Sequence, residues 1–255
     1  MSIPFIKYQG TGNNFILIDA RSGIPSGMDV ARLCHRHYGV GADGLMYLTR
    51  EKGYDFGMVY YNSDGKISSM CGNGGRCIAH FAHSLGLGKN GELHFLAVDG
   101  SHYARVSGNM VNLQMKDVET WEVRNENTVI INTGSPHYIH FIQERPEAFD
   151  LINFAHSIRH GAEFAAEGIN VNVVMVEGNA LQMRTYERGV EDETLSCGTG
   201  VTAAALSHAI RNKAQSPVSV HTQGGDLAVS FCASDKGFSD IHLMGSANTV
   251  FSGIL

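Results

Sequence analysis

Two short segments carry the residues best suited to chemistry. Cys71-Gly72-Asn73-Gly74 and Cys197-Gly198-Thr199-Gly200 each set a thiol directly before a glycine, and 126 residues separate them. A stretch with helical apolar spacing follows each one: Ile78, Phe81, Ala82 and Leu85 after the first, and residues 201–210, apolar almost all round, after the second. The first turn of a helix has unpaired N–H groups and a partial positive charge. A thiol placed there ionises more readily, and glycines let an anion approach the backbone. For one such turn, a small buried hydrophobe is the plain alternative. Two copies favour chemistry. Two thiols on opposite faces of an α-carbon, with the substrate carboxylate held by helix N-termini, would form a two-base racemase: one sulfur removes the α-proton and the other returns one.

The other cysteines read as packing residues. Cys71 and Cys77 lie six apart, which is not a redox Cys-x-x-Cys spacing. On a helix they stand about 240° apart, so a local disulfide is disfavoured. Cys71, Cys77, His80 and His83 match no standard zinc spacing, and no metal is expected. Cys34 and Cys232 complete an odd, uneven set of five, unlike a disulfide framework.

The chain that positions these turns has 255 residues, 43% hydrophobic and 17% charged, which excludes disorder. The net charge of −6 makes nucleic acid an unsuitable partner. No apolar run approaches the roughly 18 residues of a membrane span, and the N-terminus lacks the features of a signal peptide. The expected compartment is the cytoplasm. Glycine is abundant (30) and proline scarce (5), a composition of tight turns and close backbone approaches. Helices are expected at 28–37, 74–85, 151–159 and 200–210, and short strands over most of the remainder. Few helices among many strands indicate an α+β fold.

The order turn, strand, strand, Cys-Gly-x-Gly, helix occurs twice. The strand at 57–61 falls on 183–187 at the same offset of 126. Gly10-Thr11-Gly12-Asn13 is echoed by Asn132-Thr133-Gly134-Ser135 at an offset of 122, although Leu85 falls on Arg211. An internal duplication follows. The expected domains are 1–116, with a returning C-terminal strand at about 245–255, and 117–244.

Several segments resemble the diaminopimelate epimerase family. They are Phe5-Ile6-Lys7-Tyr8-Gln9-Gly10-Thr11-Gly12-Asn13-Asn14-Phe15, Gly39-Val40-Gly41-Ala42-Asp43-Gly44, Asn62-Ser63-Asp64-Gly65 and Met70-Cys71-Gly72-Asn73-Gly74-Gly75-Arg76-Cys77. Gly134-Ser135-Pro136-His137, Tyr186-Glu187-Arg188-Gly189 and Cys197-Gly198-Thr199-Gly200 follow in family order. The resemblance implies two similar domains, each a strongly curved, mostly antiparallel sheet around a central helix. It implies a cofactor-independent (PLP-independent) homodimer that interconverts LL- and meso-2,6-diaminoheptanedioate in lysine and cell-wall precursor synthesis. Carried over, Cys71 and Cys197 are the acid–base pair, and His137 and Glu187 help set their protonation. Asn13, Asn62, Asn170, Glu187 and Arg188 are substrate contacts; Gly72, Asn73, Gly198 and Thr199 form the anion sites at the helix starts. Taken alone, His137 reads as a satisfied core or surface histidine, Glu187-Arg188 as a solvated ion pair, and the three asparagines as turn residues.

The chain departs from the family at Gly44, where some members carry a substrate-contacting Gln, and at Ser135 and Thr199, where many carry Asn and Ser. A proline or hydroxyproline racemase of the same fold is the nearest alternative, but those enzymes typically have His at the position of Asn73 and lack the Tyr186-Glu187-Arg188-Gly189 signature. A non-catalytic amino-acid-binding protein would need no thiols.

Overall fold

The computed structural model describes residues 2–255. They form two compact units, 2–113 with Gly245–Leu255, and Gln114–Met244. In the first unit the order is β1 (Pro4–Gly10), β2 (Asn13–Asp19), α1 (Val30–Cys34), β3 (Gly44–Thr49), β4 (Phe56–Asn62), β5 (Ile67–Ser68), α2 (Gly72–Ser84), β6 (Glu92–Ala97), β7 (Gly100–Ser107) and β8 (Met110–Gln114). The second unit contains β9 (Trp121–Asn125), β10 (Thr128–Asn132), β11 (Pro136–Ile142), α3 (Leu151–Arg159), β12 (Asn170–Glu177), β13 (Ala180–Glu187) and β14 (Asp192–Thr194). It continues with α4 (Gly198–Asn212), β15 (Val218–Thr222), β16 (Gly225–Ser234) and β17 (Gly237–Ser246). The last strand, β18 (Asn248–Ile254), pairs antiparallel with β1. No helix among the described residues is long and apolar enough to cross a membrane.

Strand pairing repeats between the units. In the first, β1–β2 is antiparallel, β2–β3 parallel, β3–β4 antiparallel, β4–β6 parallel and β6–β7 antiparallel. In the second, β10–β11, β11–β12, β12–β13, β13–β15 and β15–β16 follow the same alternation. Short β5 sits on β4 as β14 sits on β13, and β18 flanks β1 as β9 flanks β10. The fold is therefore α+β and internally duplicated.

The middle strands of each sheet are buried on both faces, which is why they read as near-continuous apolar runs. In β2, Ile16 and Ile18 join Val30 and Cys34 of α1 in one core cluster, and Phe15 and Leu17 are buried on the other face. In β12, Val171 and Val173 pack with Leu151 and Ala155 of α3. Strand alternation then turns Asn170 and Asn172 to the opposite face, the side of α4. The central helices α2 and α4 are buried along most of their length.

Both central helices start two residues earlier than expected, at Gly72 and Gly198, because Cys71 and Cys197 are themselves the N-caps. Gly74 and Gly200 then fall inside the first turn, where a Cβ on Gly74 would collide with Met46 Cε and one on Gly200 would lie 2.8 Å from Asn172 Oδ1. The helix expected at 28–37 shrinks to Val30–Cys34. Asp29 caps its start, and His35 is already extended at its end.

Candidate active site

In the first unit the Cys71 sulfur accepts a hydrogen bond from the Gly74 N–H at 3.2 Å. The helix start is held by a buried polar cluster. Asn73, 2% exposed, donates through Nδ2 to Asn13 Oδ1. Its Oδ1 accepts from Thr11 Oγ1 at 3.2 Å and from Arg76 Nη2 at 3.0 Å. Asn13 in turn donates to Asp43 Oδ2 at 3.2 Å, and the backbone and side chain of Asn14 donate to the same oxygen. Arg76 is fully buried and also donates to the Gly72 carbonyl (3.2 Å) and Thr11 Oγ1 (3.0 Å). Burial brings its pKa down to about 10, opposed by the Cys77 and Cys71 thiols. Three charge-assisted hydrogen bonds of about 1.5–3 kcal/mol each offset a desolvation cost of several kcal/mol.

Asn62 lies exposed at the end of β4, where its carbonyl accepts from Gly65 N and its own N–H donates to the Lys66 carbonyl. It stands opposite Gly44 in the β3–β4 ladder. A Cβ on Gly44 would lie 2.5 Å from the Tyr60 ring and 2.6 Å from the Tyr61 carbonyl. The Tyr60 ring thus fills the space in which a side chain at position 44 would begin.

The second unit builds its helix start from different groups. Cys197, 8% exposed, lies 3.4 Å from Thr199 Oγ1. Thr199 Oγ1 is 2.9 Å from His137 Nε2, and the Thr199 carbonyl accepts from Thr133 Oγ1 at 2.8 Å. His137 is fully buried on β11, level with Asn170 of the parallel strand β12. Asn170 donates to Ser135 Oγ and the Pro136 carbonyl, and accepts from the Arg188 backbone N–H at 2.9 Å. The Arg188 guanidinium reaches the Glu167 carbonyl and Ser135 Oγ. The Glu187 carboxylate accepts from Thr194 Oγ1 at 2.9 Å. The structure therefore gathers Asn13, Asn73 and Cys71 at one helix start, and His137, Thr199 and Cys197 at the other, with Asn170 and Arg188 joined beside Ser135.

Sequence reasoning assigned no role to Thr11, Asp43, Arg76, Asn172 or Thr185. Asn172, fully buried, donates to His137 Nδ1 at 3.1 Å and to the Tyr138 carbonyl at 3.3 Å, and accepts from Thr185 Oγ1 at 2.9 Å. One signal was present. Asn172 shares the α4 face of β12 with Asn170, and Arg76 stands one turn from Asn73, each a polar residue at a core position. Of the remaining thiols, burial pushes Cys34 up to about 11 and Cys77 up to about 12, so neither ionises near neutrality. Among the described residues, no group of three or more His, Cys, Asp or Glu side chains converges as a metal site.

Burial, followed by the positive charge of Arg188, holds His137 at about 3 instead of 6.5. As pH falls below 6.5 the unfolded chain takes up this proton and the folded chain does not. His137 therefore contributes stability above that pH which is lost toward pH 3, by up to about 1.4 kcal/mol per pH unit. The difference in unfolding free energy between wild type and His137→Gln should shrink from pH 7 to pH 4. A difference independent of pH would contradict this.

Gly200 makes the packing around His137 possible. A Cβ there would lie 2.8 Å from Asn172 Oδ1, 3.2 Å from Met183 Cε and 3.3 Å from His137 Cε1. Gly200→Ala is expected to cost about 1–3 kcal/mol of stability and to lower kcat at least tenfold by displacing His137. Urea unfolding together with steady-state kinetics tests this, and unchanged kcat would refute it.

The chain matches the family model described as Diaminopimelate epimerase over residues 5–121 and 129–250. It is 46% identical to the diaminopimelate epimerase of Flavobacterium psychrophilum over 96% of this chain and 97% of that protein. It is 38% identical to that of Chlorobaculum tepidum over 96% and 98%. A phenazine biosynthesis protein of the PhzF family from Bacillus anthracis has the same fold, with a TM-score of 0.73 at 14% identity, covering 100% of this chain and 99% of that one. With this match along nearly its whole length, the chain belongs to the diaminopimelate epimerase family.

Proposed function

We propose that this protein interconverts LL- and meso-2,6-diaminoheptanedioate by a two-thiol acid–base reaction without a cofactor. The observation that carries the reading is that each of two matching central helices is N-capped by a cysteine. Epimerisation needs a base on one side of the α-carbon and an acid on the other. One sulfur, as thiolate, takes the α-proton; the other, as thiol, gives its proton to the opposite face. After each turnover the two have exchanged roles, so each must be able to hold either state. N–H groups at the helix starts, around Gly72-Asn73 and Gly198-Thr199, bind the α-carboxylate and stabilise the charge that develops on it.

Asn13, Asn62, Asn170 and Arg188 are proposed to hold the polar ends of the substrate, with Glu187 a partner for an ammonium group. His137 supports Cys197 through Thr199. It does not exchange protons itself, since burial keeps the imidazole neutral across the working pH range. The reaction belongs to lysine and cell-wall precursor synthesis, and the proposed setting is the cytoplasm, where thiols stay reduced. The protein is proposed to be a homodimer, and exposed Val250, Phe251 and Ile254 on β18 are apolar surface available to a second copy. Its mass in solution by light scattering tests this.

A substrate panel tests the activity. LL-diaminopimelate should be epimerised, and L-proline and trans-4-hydroxy-L-proline should not. Turnover of proline with diaminopimelate inert would overturn the reading.

A further inference from the structure

We infer that Asn172 is a positioning residue that fixes the direction of a hydrogen-bond chain through His137 and Thr199, so that Cys197 sulfur is its final acceptor. The inference rests on Cys197 being one of the two acid–base thiols.

The direction follows from one backbone carbonyl. Asn172 Nδ2 lies 3.3 Å from the Tyr138 carbonyl oxygen, which can only accept. The other end of the amide, Oδ1, accepts from Thr185 Oγ1 at 2.9 Å. Flipping the amide would set oxygen against oxygen at Tyr138. The same Nδ2 is 3.1 Å from His137 Nδ1, so Nδ1 must accept. A neutral imidazole that accepts at Nδ1 carries its hydrogen on Nε2. That hydrogen points to Thr199 Oγ1 at 2.9 Å. The threonine hydroxyl accepts from His137 and has one hydrogen left to give. Cys197 sulfur lies 3.4 Å away. A sulfur that receives an O–H hydrogen bond is favoured as thiolate.

Asn172 and His137 have no solvent exposure and Thr185 only 2%, so water does not reorient the Asn172–His137 end of the chain; Thr199 is half-buried. The Thr133 bond to the Thr199 carbonyl holds the far end in place. Burial keeps His137 neutral, so the direction persists through the physiological pH range. The duplicated helix start in the first unit uses another device, because Cys71 receives its hydrogen bond from a backbone N–H.

Of the charges on neighbouring strands, Arg188, just after β13, lowers the His137 pKa, Glu187 at the end of β13 accepts from Thr194, and Glu193 of β14 pairs with Arg184. His140 of β11 is influenced by Arg211 and so lies toward the other end of the helix, with His208. His221 of β15 pairs with Asp226 of β16 at the surface. None of these takes part in the chain.

The test needs no substrate, so it can fail without the activity failing, and the reverse. In protein labelled with 15N-histidine, His137 should show a protonated Nε2 and an unprotonated Nδ1 from pH 6 to pH 8; the opposite tautomer overturns the inference. In Asn172→Asp the carboxylate accepts from Nδ1–H, and the tautomer should switch. Thr199 would then donate to His137, and Cys197 would lose the hydrogen bond from Thr199. In a Cys71→Ser background, the pH midpoint for iodoacetamide alkylation of Cys197 should rise by about one unit, a tenfold loss of thiolate at fixed pH. Thr199→Val should raise it similarly with the tautomer unchanged. The added negative charge of Asn172→Asp is controlled by the double variant, in which the two shifts should not add; full additivity would overturn the inference. If Asn172→Asp does not fold, the wild-type spectrum and Thr199→Val still decide.

Discussion

Cys71→Ala and Cys197→Ala should each lose epimerisation by at least about 10³-fold, while the fold remains intact. General acid–base groups contribute roughly 10²–10⁴-fold each, and in the proposed reaction each sulfur serves one face of the α-carbon. The structural cost is small. The losses at Cys71 include the N-cap hydrogen bond from Gly74, about 1 kcal/mol. Those at Cys197 include the contact with Thr199 at 3.4 Å. The measurement is kcat for LL-diaminopimelate beside a urea unfolding curve for each variant. Retention of more than a tenth of the activity in either would remove the two-thiol mechanism. Loss of activity with loss of the folded state would make the cysteines structural.

The second large effect is expected at Arg76. Its guanidinium ties together Gly72, Thr11 and Asn73 at the start of α2. Arg76→Met removes a desolvated charge together with its bonds to the Gly72 carbonyl, Thr11 Oγ1 and Asn73 Oδ1, and leaves Asn73 Oδ1 with the bond from Thr11 Oγ1. The three lost charge-assisted hydrogen bonds, about 1.5–3 kcal/mol each, together exceed what removing the charge recovers. The variant should lose about 2–5 kcal/mol of stability. Activity should fall more than tenfold even at a temperature where it remains folded, because Asn73 would keep its bonds to Asn13 and Thr11 but lose the guanidinium that ties it to the start of α2. Arg76→Lys keeps the charge but loses the fork, so it should recover part of the stability and little of the activity. A stable, fully active Arg76→Met would show that the cluster does not position the site.

The sequence shows the two Cys-Gly-x-Gly turns because their residue types, spacing and downstream apolar helices all lie within about fifteen residues of each other. The duplication is equally visible, since the same order of features at offsets of 126 and 122 needs no knowledge of packing. Short strands escaped notice for a physical reason. β5 and β14 have only two and three residues, and β9 is exposed at nearly every position, so no alternation marks them. Arg76 and Asn172 were hidden differently. Partners come from distant parts of the chain, Thr11 in the β1–β2 turn in one case and Tyr138 and Thr185 on neighbouring strands in the other. Local pattern shows a polar residue at a core position, but the group that satisfies it is set only by the folded sheet. Gly44 is a third case: the glycine is plain in the sequence, whereas the Tyr60 ring that occupies its side-chain space is seen only in three dimensions.

Isotope exchange tests the central claim most directly. LL-diaminopimelate incubated in D2O with the reduced, cofactor-free protein should yield the meso product carrying deuterium at one α-carbon, read by mass spectrometry and proton NMR. The product should carry solvent deuterium from its first appearance, because the sulfur that delivers the new hydrogen has exchanged with water. Product formed without solvent deuterium, or no exchange at all by reduced protein, would contradict the account.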